Sequence, residues 1–584
     1  MRHKTRPYFS LNGLWDFAFL GALETESFSP ANLGPLGKMP VPSAFDALPG
    51  HAGQRGAAVY RTCFTVPPGQ AARIEFGAVS MWTRIFINGE FHREHACGYV
   101  PFVVDVPASP RSSHELVVLV DNRFDFNRVP MHEEYFDFYQ YGGILRDVTL
   151  CVLPGKAAFI EAVQVTPTSE FRDGGVEIAV KLGGVIEPNL TLATQFDDGT
   201  ELLHAITADH VTLALKVPAP RIWSPATPQL HRLRVTLRDL DSKQEYDDFN
   251  VRFGLRRIEA HDGALWLNGE KLRLRGYNRH EWHPNFGPCT PVLQMVADLQ
   301  LLRDLGCNFV RGSHYPQDQR FLDLCDELGM LVWEENLGWG QREATFRSEK
   351  FHRDHDAALR AMVGASYNHP SVIIWGFLNE AGTDQDYPRP LLEKTVTTLR
   401  ELDPSRLLSY ASMFALTDRH LDLVDLIALN VYPGWYGCEG VDQPLELVAP
   451  FMRECFAHLD TAGFAHKPII ISEIGAEALY GWRDSHHDFY TEEFQAAYLQ
   501  RACAEALGNT RCSGIALWHF SDVRTYSGGR SLKRPRTFNN KGTLDEYRRP
   551  KLAYNTVRAI FLAAGALEIA PVAQPKGLPG SAEG

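Results

Sequence analysis

The chain has 584 residues, 45% hydrophobic and 22% charged, with a formal net charge of −13. That length exceeds one hydrophobic core and implies several domains, and the composition is that of a folded globular protein. The acidic balance argues against nucleic acid or an anionic membrane as partner, although a local cation is still free to bind a small anion. The ten cysteines (63, 97, 151, 289, 307, 325, 438, 455, 503 and 512) include no CxxC pair, and several sit in apolar runs, so reduced buried thiols are expected. The basic N-terminus is followed by Tyr8-Phe-Ser-Leu-Asn-Gly-Leu-Trp15 and not by a continuous apolar stretch; a cytoplasmic location is the expectation.

In chain order, residues 1–153 read as an antiparallel β-sandwich. Short alternating runs such as Leu116-Val-Val-Leu-Val-Asp121 alternate with turn residues, and Asn88-Gly89 marks a hairpin. A second all-β stretch, 154–256, has the length of one immunoglobulin-like sandwich and includes Val176–Leu182 and Leu230–Leu237. From 257 to 567 strands alternate with helical segments. Eight strands are expected at 272–276, 307–313, 330–335, 372–378, 407–412, 426–431, 468–472 and 514–519, with amphipathic stretches such as Val292–Leu305 between them. Eight βα repeats over this length predict a closed (β/α)8 barrel. The Pro/Gly/Ala-rich tail, 568–584, is expected to be disordered.

Two of these strands end in a glutamate: Val372-Ile-Ile-Trp-Gly-Phe-Leu-Asn-Glu380, the fourth, and Pro468-Ile-Ile-Ile-Ser-Glu473, the seventh. The C-terminal tips of barrel strands carry the chemistry of such folds, and a pair of carboxylates is what glycosidic bond cleavage requires. By strand count the two face each other across the barrel mouth. At a separation of about 5 Å and an effective dielectric of about 20, two charges repel by roughly 3 kcal/mol, or about two pKa units, so one glutamate is expected to hold its proton near neutrality.

Leu11-Asn-Gly-Leu-Trp-Asp-Phe17, Gly276-Tyr-Asn-Arg-His-Glu281, Arg311-Gly-Ser-His-Tyr-Pro316, Asn368-His-Pro-Ser-Val372, Asn379-Glu380 and Ser472-Glu473, in this order, resemble glycoside hydrolase family 2. The resemblance implies a jelly-roll sandwich, an immunoglobulin-like sandwich and a catalytic barrel, with retaining hydrolysis. It makes Glu380 the acid and later the base, and Glu473 the nucleophile. Asn379 is expected on the sugar 2-hydroxyl, or else as a turn residue, and Arg311 as the group orienting the nucleophile. His314 and His280 are expected at the site, against the alternative of structural histidines. Trp518 reads either as core or as the floor beneath the sugar's apolar face, and the floor is preferred. Family β-galactosidases hold a divalent ion with a glutamate after the third strand and a histidine two residues on. Here Glu335 is followed by Asn336 and Leu337, so no metal and no cofactor are expected.

Within that resemblance, Phe538-Asn-Asn-Lys-Gly542 occupies the place where β-glucuronidases carry an Asn and a Lys that grip the sugar carboxylate, which points to Asn539 and Lys541. Asn430-Val-Tyr-Pro-Gly-Trp-Tyr436 resembles a glucuronidase segment too, placing Asn430, Tyr432 and Tyr436 at the site; Phe136-Asp-Phe-Tyr-Gln-Tyr-Gly-Gly143 puts Asp137 on a ring hydroxyl. The arginine that glucuronidases place four residues before the Asn is replaced by Pro535, flanked by Arg534 and Arg536 as the available substitutes. The expectation is therefore an exo-β-glucuronidase. The alternatives are a β-galacturonidase, a neutral-sugar β-galactosidase or β-mannosidase, and a non-catalytic carbohydrate-binding protein. A homo-oligomer is expected from the habit of the family. The short segment from Asn336 to Asn368 predicts an open mouth admitting large aglycones, oligosaccharide ends among them.

Overall fold

The computed structural model describes residues 2–154, 158–526 and 534–565. The first sandwich packs a four-stranded antiparallel sheet (Tyr8–Ser10, Val148–Val152, Ala72–Phe76, Phe102–Val106) against a six-stranded one (Gly37–Val41, Gly13–Gly21, Ala57–Thr65, Ser113–Asp121, Trp82–Ile87, Glu90–His95). Alternation along these strands sends Trp15, Phe17, Ile74, Phe76, Val104 and Val118 into one core. The hairpin at Asn88-Gly89 pairs Ile87 with Glu90, and both turn residues take positive φ, as a two-residue turn between twisted strands requires.

The second sandwich has a three-stranded sheet (Ala158–Pro167, Gly175–Gly184, His210–Lys216) and a four-stranded sheet (Glu201–Ala205, Leu190–Phe196, His231–Asp239, Glu245–Phe253) around Ile178, Val180, Leu192 and Val235.

The eight expected strands all form and close a parallel barrel: Leu274–Arg279, Phe309–Gly312, Leu331–Glu335, Val372–Asn379, Leu407–Ser412, Ile427–Asn430, Ile469–Glu473 and Cys512–Leu517. Phe309, Leu331, Trp333, Ile374, Ala428, Ile470 and Ala516 fill its interior, and Leu265 and Leu267 of a small hairpin sheet pack into the same cluster. The barrel core is therefore solid and its chemistry is confined to the loops at the strand tips.

One expectation fails. The crossover from the fifth strand to the sixth, residues 413–426, contains a 3-10 turn at Leu421–Leu423 and no α-helix. It is too short to leave the strand, form a helix and return, and Asp418 knots it locally. That carboxylate accepts from the Tyr410 hydroxyl at 2.7 Å, from Ser412 at 2.6 Å and from Thr383 at 2.5 Å. Seven cysteines are buried, Cys289 and Cys438 are half-buried, Cys63 is exposed, and all ten are free thiols. No helix among the described residues is long and apolar enough to cross a membrane. The tail expected to be disordered lies outside the described residues.

Candidate active site

At the mouth of the barrel lies a cavity of about 870 Å³, lined among others by Asp137, His314, Asn379, Glu380, Asn430, Tyr432, Tyr436, Glu473 and Trp518. Of the residues expected from sequence, these nine line the cavity. Arg311, His280, Asn539 and Lys541 lie one layer behind it, buried.

The two glutamates are joined by a continuous hydrogen-bond chain. The Ser472 hydroxyl donates to Asn430 Oδ1 at 2.7 Å, and Asn430 Nδ2 donates to both Glu380 Oε1 and Asn379 Oδ1 at 3.0 Å. Arg311 donates to Asn379 Oδ1 at 2.8 Å and to Glu473 Oε1 at 2.7 Å, and the Tyr432 hydroxyl closes the chain on Glu473 Oε2 at 2.8 Å. Both donors on Asn379 are aimed at its Oδ1, which leaves Nδ2 to donate elsewhere. Glu380 itself has φ +50°, a left-handed conformation that costs a non-glycine residue about 1–3 kcal/mol. Its N–H donates to Ala411 O at 2.9 Å and its carbonyl accepts from Arg342 at 2.6 Å, which fixes the turn that carries the side chain.

Burial pushes both glutamates up, and the neighbouring charge of Glu380 pushes Glu473 further, to about 8. This is the behaviour of a pair that shares a single proton near neutrality. Its preferred resting place follows from the partners. Glu473 accepts from a guanidinium and a phenol, whereas Glu380 accepts one amide N–H, so the arrangement favours an ionised Glu473 beside a protonated Glu380. Arg311 is shared with Glu335, at 2.8 Å. Burial raises Glu335 to about 7, with Arg311 opposing, so below that pH the guanidinium charge is directed mainly at Glu473.

His314 stacks on Trp518 with ring centroids 5.1 Å apart, and its Nδ1 lies 3.1 Å from Glu335. Burial and the nearby Arg311 hold its pKa well below the ordinary value, so it is neutral. His280 packs edge-on against both His314 and Trp518, and burial holds it neutral as well. It stands behind the cavity wall, with Nδ1 3.2 Å from the Tyr315 hydroxyl.

A second polar cluster adjoins the pair. Asp137, carried on a loop of the first sandwich, accepts from the Nε and Nη2 edge of Arg534, with Nε at 3.1 Å, and from Asn539 Nδ2 at 2.8 Å. Arg534 also reaches the Tyr436 hydroxyl at 2.8 Å and bonds Glu477. Lys541 Nζ donates to the same hydroxyl at 2.7 Å and lies 3.7 Å from Glu477, with the rings of Tyr432, Trp435 and Tyr436 around it at 4.6–5.6 Å. Burial, reinforced by the like charge of Arg534, lowers Lys541 to about 7. Glu477 is held below its usual value by Lys541 and Arg534 despite burial.

The question of which arginine stands near Asn539 has a definite answer: Arg534 joins the cluster, while Arg536 pairs outward with Glu546 at 3.0 Å. Arg536 and Thr537 have φ of +60° and +61°, a left-handed stretch between Arg534 and Asn539. Glu477 was not anticipated from sequence; its signal is a lone acid in the otherwise apolar run Ile474-Gly-Ala-Glu-Ala-Leu479. Among the described residues, one group has metal-ligand geometry, Asp323, Asp326 and His369, and it lies away from this cavity. The Glu335 carboxylate is engaged by Arg311 and His314.

Two sandwiches leading into a barrel whose fourth and seventh strands deliver a carboxylate pair to a deep cavity define a glycoside hydrolase. Sequence comparison agrees: the profile for glycosyl hydrolases family 2, TIM barrel domain, matches residues 258–563, and that for glycosyl hydrolases family 2 matches residues 158–256. The chain belongs to glycosyl hydrolases family 2. It is similar to the β-glucuronidase of Streptococcus agalactiae, with 26% identity over 94% of this chain and 95% of the relative, and to human β-glucuronidase, with 27% identity over 89% and 84%. Among solved structures it is similar to a β-galacturonidase from Eisenbergiella tayi bound to galacturonate, with 32% identity, TM-score 0.87 and coverage of 97% and 99%. It is also similar to Bifidobacterium dentium β-glucuronidase, with 25% identity, TM-score 0.84 and coverage of 96% and 97%.

Proposed function

We propose that the protein is a retaining exo-β-glycosidase that removes terminal β-D-glucuronic acid residues. The observation that carries this reading is the charged cluster of Arg534 and Lys541, with Asn539, balanced by the Asp137 and Glu477 carboxylates and set beside Tyr436 and the two glutamates. A neutral sugar has no use for two buried cations with directed N–H donors, whereas a carboxylate accepts them in the bidentate manner that guanidinium favours. In the proposed binding mode the substrate carboxylate competes with Asp137 and the Tyr436 hydroxyl for these donors, and Asp137 is left to accept from a ring hydroxyl. Trp518 supports the apolar face of the ring, and Asn379 Nδ2 donates to the 2-hydroxyl.

Ionised Glu473, aligned by Arg311 and Tyr432, attacks the anomeric carbon while Glu380 protonates the departing oxygen. The bond from the anomeric carbon to the leaving oxygen breaks as that from the anomeric carbon to Glu473 Oε forms. Consuming the charge on Glu473 removes the repulsion that kept Glu380 protonated, so Glu380 then takes a proton from water. The resulting hydroxide equivalent displaces Glu473 from the anomeric carbon, with net retention.

A second reading, cleavage of β-galacturonides, has its own support. Glucuronate and galacturonate differ only in the configuration of the 4-hydroxyl, and the arginine of this cluster stands five residues before Asn539, one place out of the glucuronidase register. The similar Eisenbergiella tayi structures are of a β-galacturonidase. The test is a panel of nitrophenyl β-glucuronide, β-galacturonide, β-galactoside and β-mannoside under one set of conditions. A uronide should exceed both neutral glycosides by about 10²–10⁴ in kcat/KM, and the ratio of the two uronides decides the epimer. A neutral glycoside cleaved fastest rejects the uronide reading.

A further inference from the structure

We infer that Glu477 is a positioning residue for the binding of an anionic sugar: it is the counter-ion that holds Arg534 and Lys541 side by side in the empty site and keeps Lys541 cationic for the incoming carboxylate. The inference rests on the uronide reading above for the identity of that anion. It gives a role to a side chain that touches no substrate in that reading.

Glu477 stands four residues after Glu473, on the segment that leaves the seventh barrel strand, and is 1% exposed. Its Oε1 accepts from Arg534 Nη1 and lies 3.7 Å from Lys541 Nζ, and its Oε2 accepts from Asn540 Nδ2 at 3.2 Å. One carboxylate oxygen therefore faces both cations, which meet on the same Tyr436 hydroxyl, at 2.8 and 2.7 Å. A tether between chain segments is not what this carboxylate supplies, because the two segments it joins are tied without it. The N–H of Ala478 donates to Asn540 O at 3.0 Å, and Gln495 Nε2 donates to Ala476 O at 2.9 Å and Gly542 O at 3.1 Å. Lys551 Nζ donates to the carbonyls of Ala478 at 2.7 Å and Asn540 at 2.9 Å. What Glu477 adds to this brace is its charge.

The two cations depend on that charge unequally. Arg534 has a second carboxylate in Asp137, through Nε at 3.1 Å and Nη2. The Lys541 ammonium has one hydrogen-bond partner among the described residues, the Tyr436 hydroxyl, and Glu477 is the one carboxylate within 4 Å of it. Burial and Arg534 bring Lys541 to about 7, with Glu477 first among the groups that oppose them, so without Glu477 the ammonium form would be lost at a lower pH. Other titrations around the pair lie outside the relevant range. Burial raises the phenols of Tyr432, Tyr436 and Tyr490, and burial holds His519 neutral. Asp137 and Glu473 are the other carboxylates whose charge acts on Lys541. The Glu477 carboxylate also repels that of a bound uronide, so its removal has opposite consequences on the two sides of the Lys541 titration.

The test is Glu477→Gln, which keeps the shape and removes the charge, and Lys541 is read in two ways. In protein labelled with [ε-13C]lysine, with the Lys541 signal assigned by its loss in Lys541→Met, the NMR titration midpoint is expected at about 7 in the unmodified protein and about one pH unit or more lower in the variant. This reading needs no substrate and stands whatever the aryl panel finds. With the nitrophenyl uronide that the panel finds cleaved, the rise of KM should begin about one pH unit or more lower in Glu477→Gln, while KM at pH 5 is no higher than in the unmodified protein, because a competing anion has gone. The double variant Glu477→Gln/Lys541→Met loses one charge of each sign and so avoids stranding two cations. Its KM for the uronide should equal or fall below that of Lys541→Met alone at every pH. An unchanged Lys541 midpoint, a KM raised equally from pH 5 to 9 in Glu477→Gln, or a double variant that binds the uronide more weakly than Lys541→Met would each overturn the inference. A shifted midpoint in a protein that cleaves no uronide would reject the uronide reading and uphold the counter-ion role.

Discussion

At the scale of single residues, the site works by giving two identical side chains unlike partners. Glu473 has a cation and a phenol, Glu380 a single amide, and the proton distributes accordingly. Replacing Glu473 with Gln should therefore lower kcat by about 10⁴ or more on every substrate, with no pre-steady-state burst of aglycone. Glu380→Gln should behave differently. Nitrophenol leaves without protonation, so glycosylation persists while deglycosylation stalls, giving a burst, a low KM and recovery of turnover with added azide; ethyl glycosides should lose about 10²–10⁴. A burst in the Glu473 variant and none in the Glu380 variant would reverse the assignment. Arg311→Met tests the shared cation. It leaves two buried carboxyls, Glu335 and Glu473, without a counter-ion, which should lower stability by about 3–5 kcal/mol, measured by denaturant unfolding, and move the acid limb of kcat/KM to higher pH.

At the scale of elements, most of what positions these residues was legible in the sequence, because a strand buried on both faces reads as an uninterrupted apolar run and its functional residue stands at the end. That logic located Glu380 and Glu473 and all eight barrel strands. It failed where local geometry, and not apolar pattern, decides. Arg534, and not Arg536, joins the cluster next to a left-handed stretch at Arg536 and Thr537, and no periodicity signals which of the two arginines turns inward. The crossover 413–426 lacks its helix because Asp418 ties it into a knot, which the count of βα repeats could not register. Lys541 was visible, but its state was not. At about 7 it is half-deprotonated near neutral pH, since burial and Arg534 disfavour its charge. A bound carboxylate stabilises the charged form, so binding above pH 7 must take up a proton. The sign is then fixed: KM for a uronide stays level below about pH 7 and climbs by up to tenfold per pH unit above it, until the pKa of the complex is reached. Lys541→Met should raise KM and abolish this slope. A KM that is flat from pH 6 to 9 in the unmodified protein would mean that Lys541 makes no contact with a substrate anion.

At the scale of the whole molecule, the active site is not a property of the barrel alone. Asp137 reaches the cavity from the first sandwich, and its placement depends on how firmly that sandwich is fastened to the barrel. The fastening is buried and part apolar, with Met131, Phe138, Tyr141 and Leu145 of the sandwich in one cluster with Trp282, Tyr315 and Trp339 of the barrel, and part polar. Arg146 of the sandwich donates to Glu281 at 2.9 Å and to the carbonyl of Pro316 at 2.6 Å on the barrel side, while its other nitrogen holds Tyr99 O at 3.0 Å. The Tyr99 ring stacks on Tyr315 at 3.9 Å, and the N–H of Tyr139 donates to the carbonyl of Arg524 at 2.8 Å. Arg146→Met removes the cation paired with Glu281 in a buried interface and leaves that carboxyl only the N–H of Asp318, a loss of about 3–5 kcal/mol, whereas the double variant Arg146→Met/Glu281→Gln removes the stranded carboxyl and should recover much of that stability. Activity should not recover in step, because the double variant restores neither the donors to Pro316 and Tyr99 nor the alignment of the loop bearing Asp137. Denaturant unfolding paired with kcat/KM on a uronide separates the two effects. If stability and activity return together, Arg146 contributes only to folding; if stability returns while KM stays high, the sandwich is a working part of the substrate site.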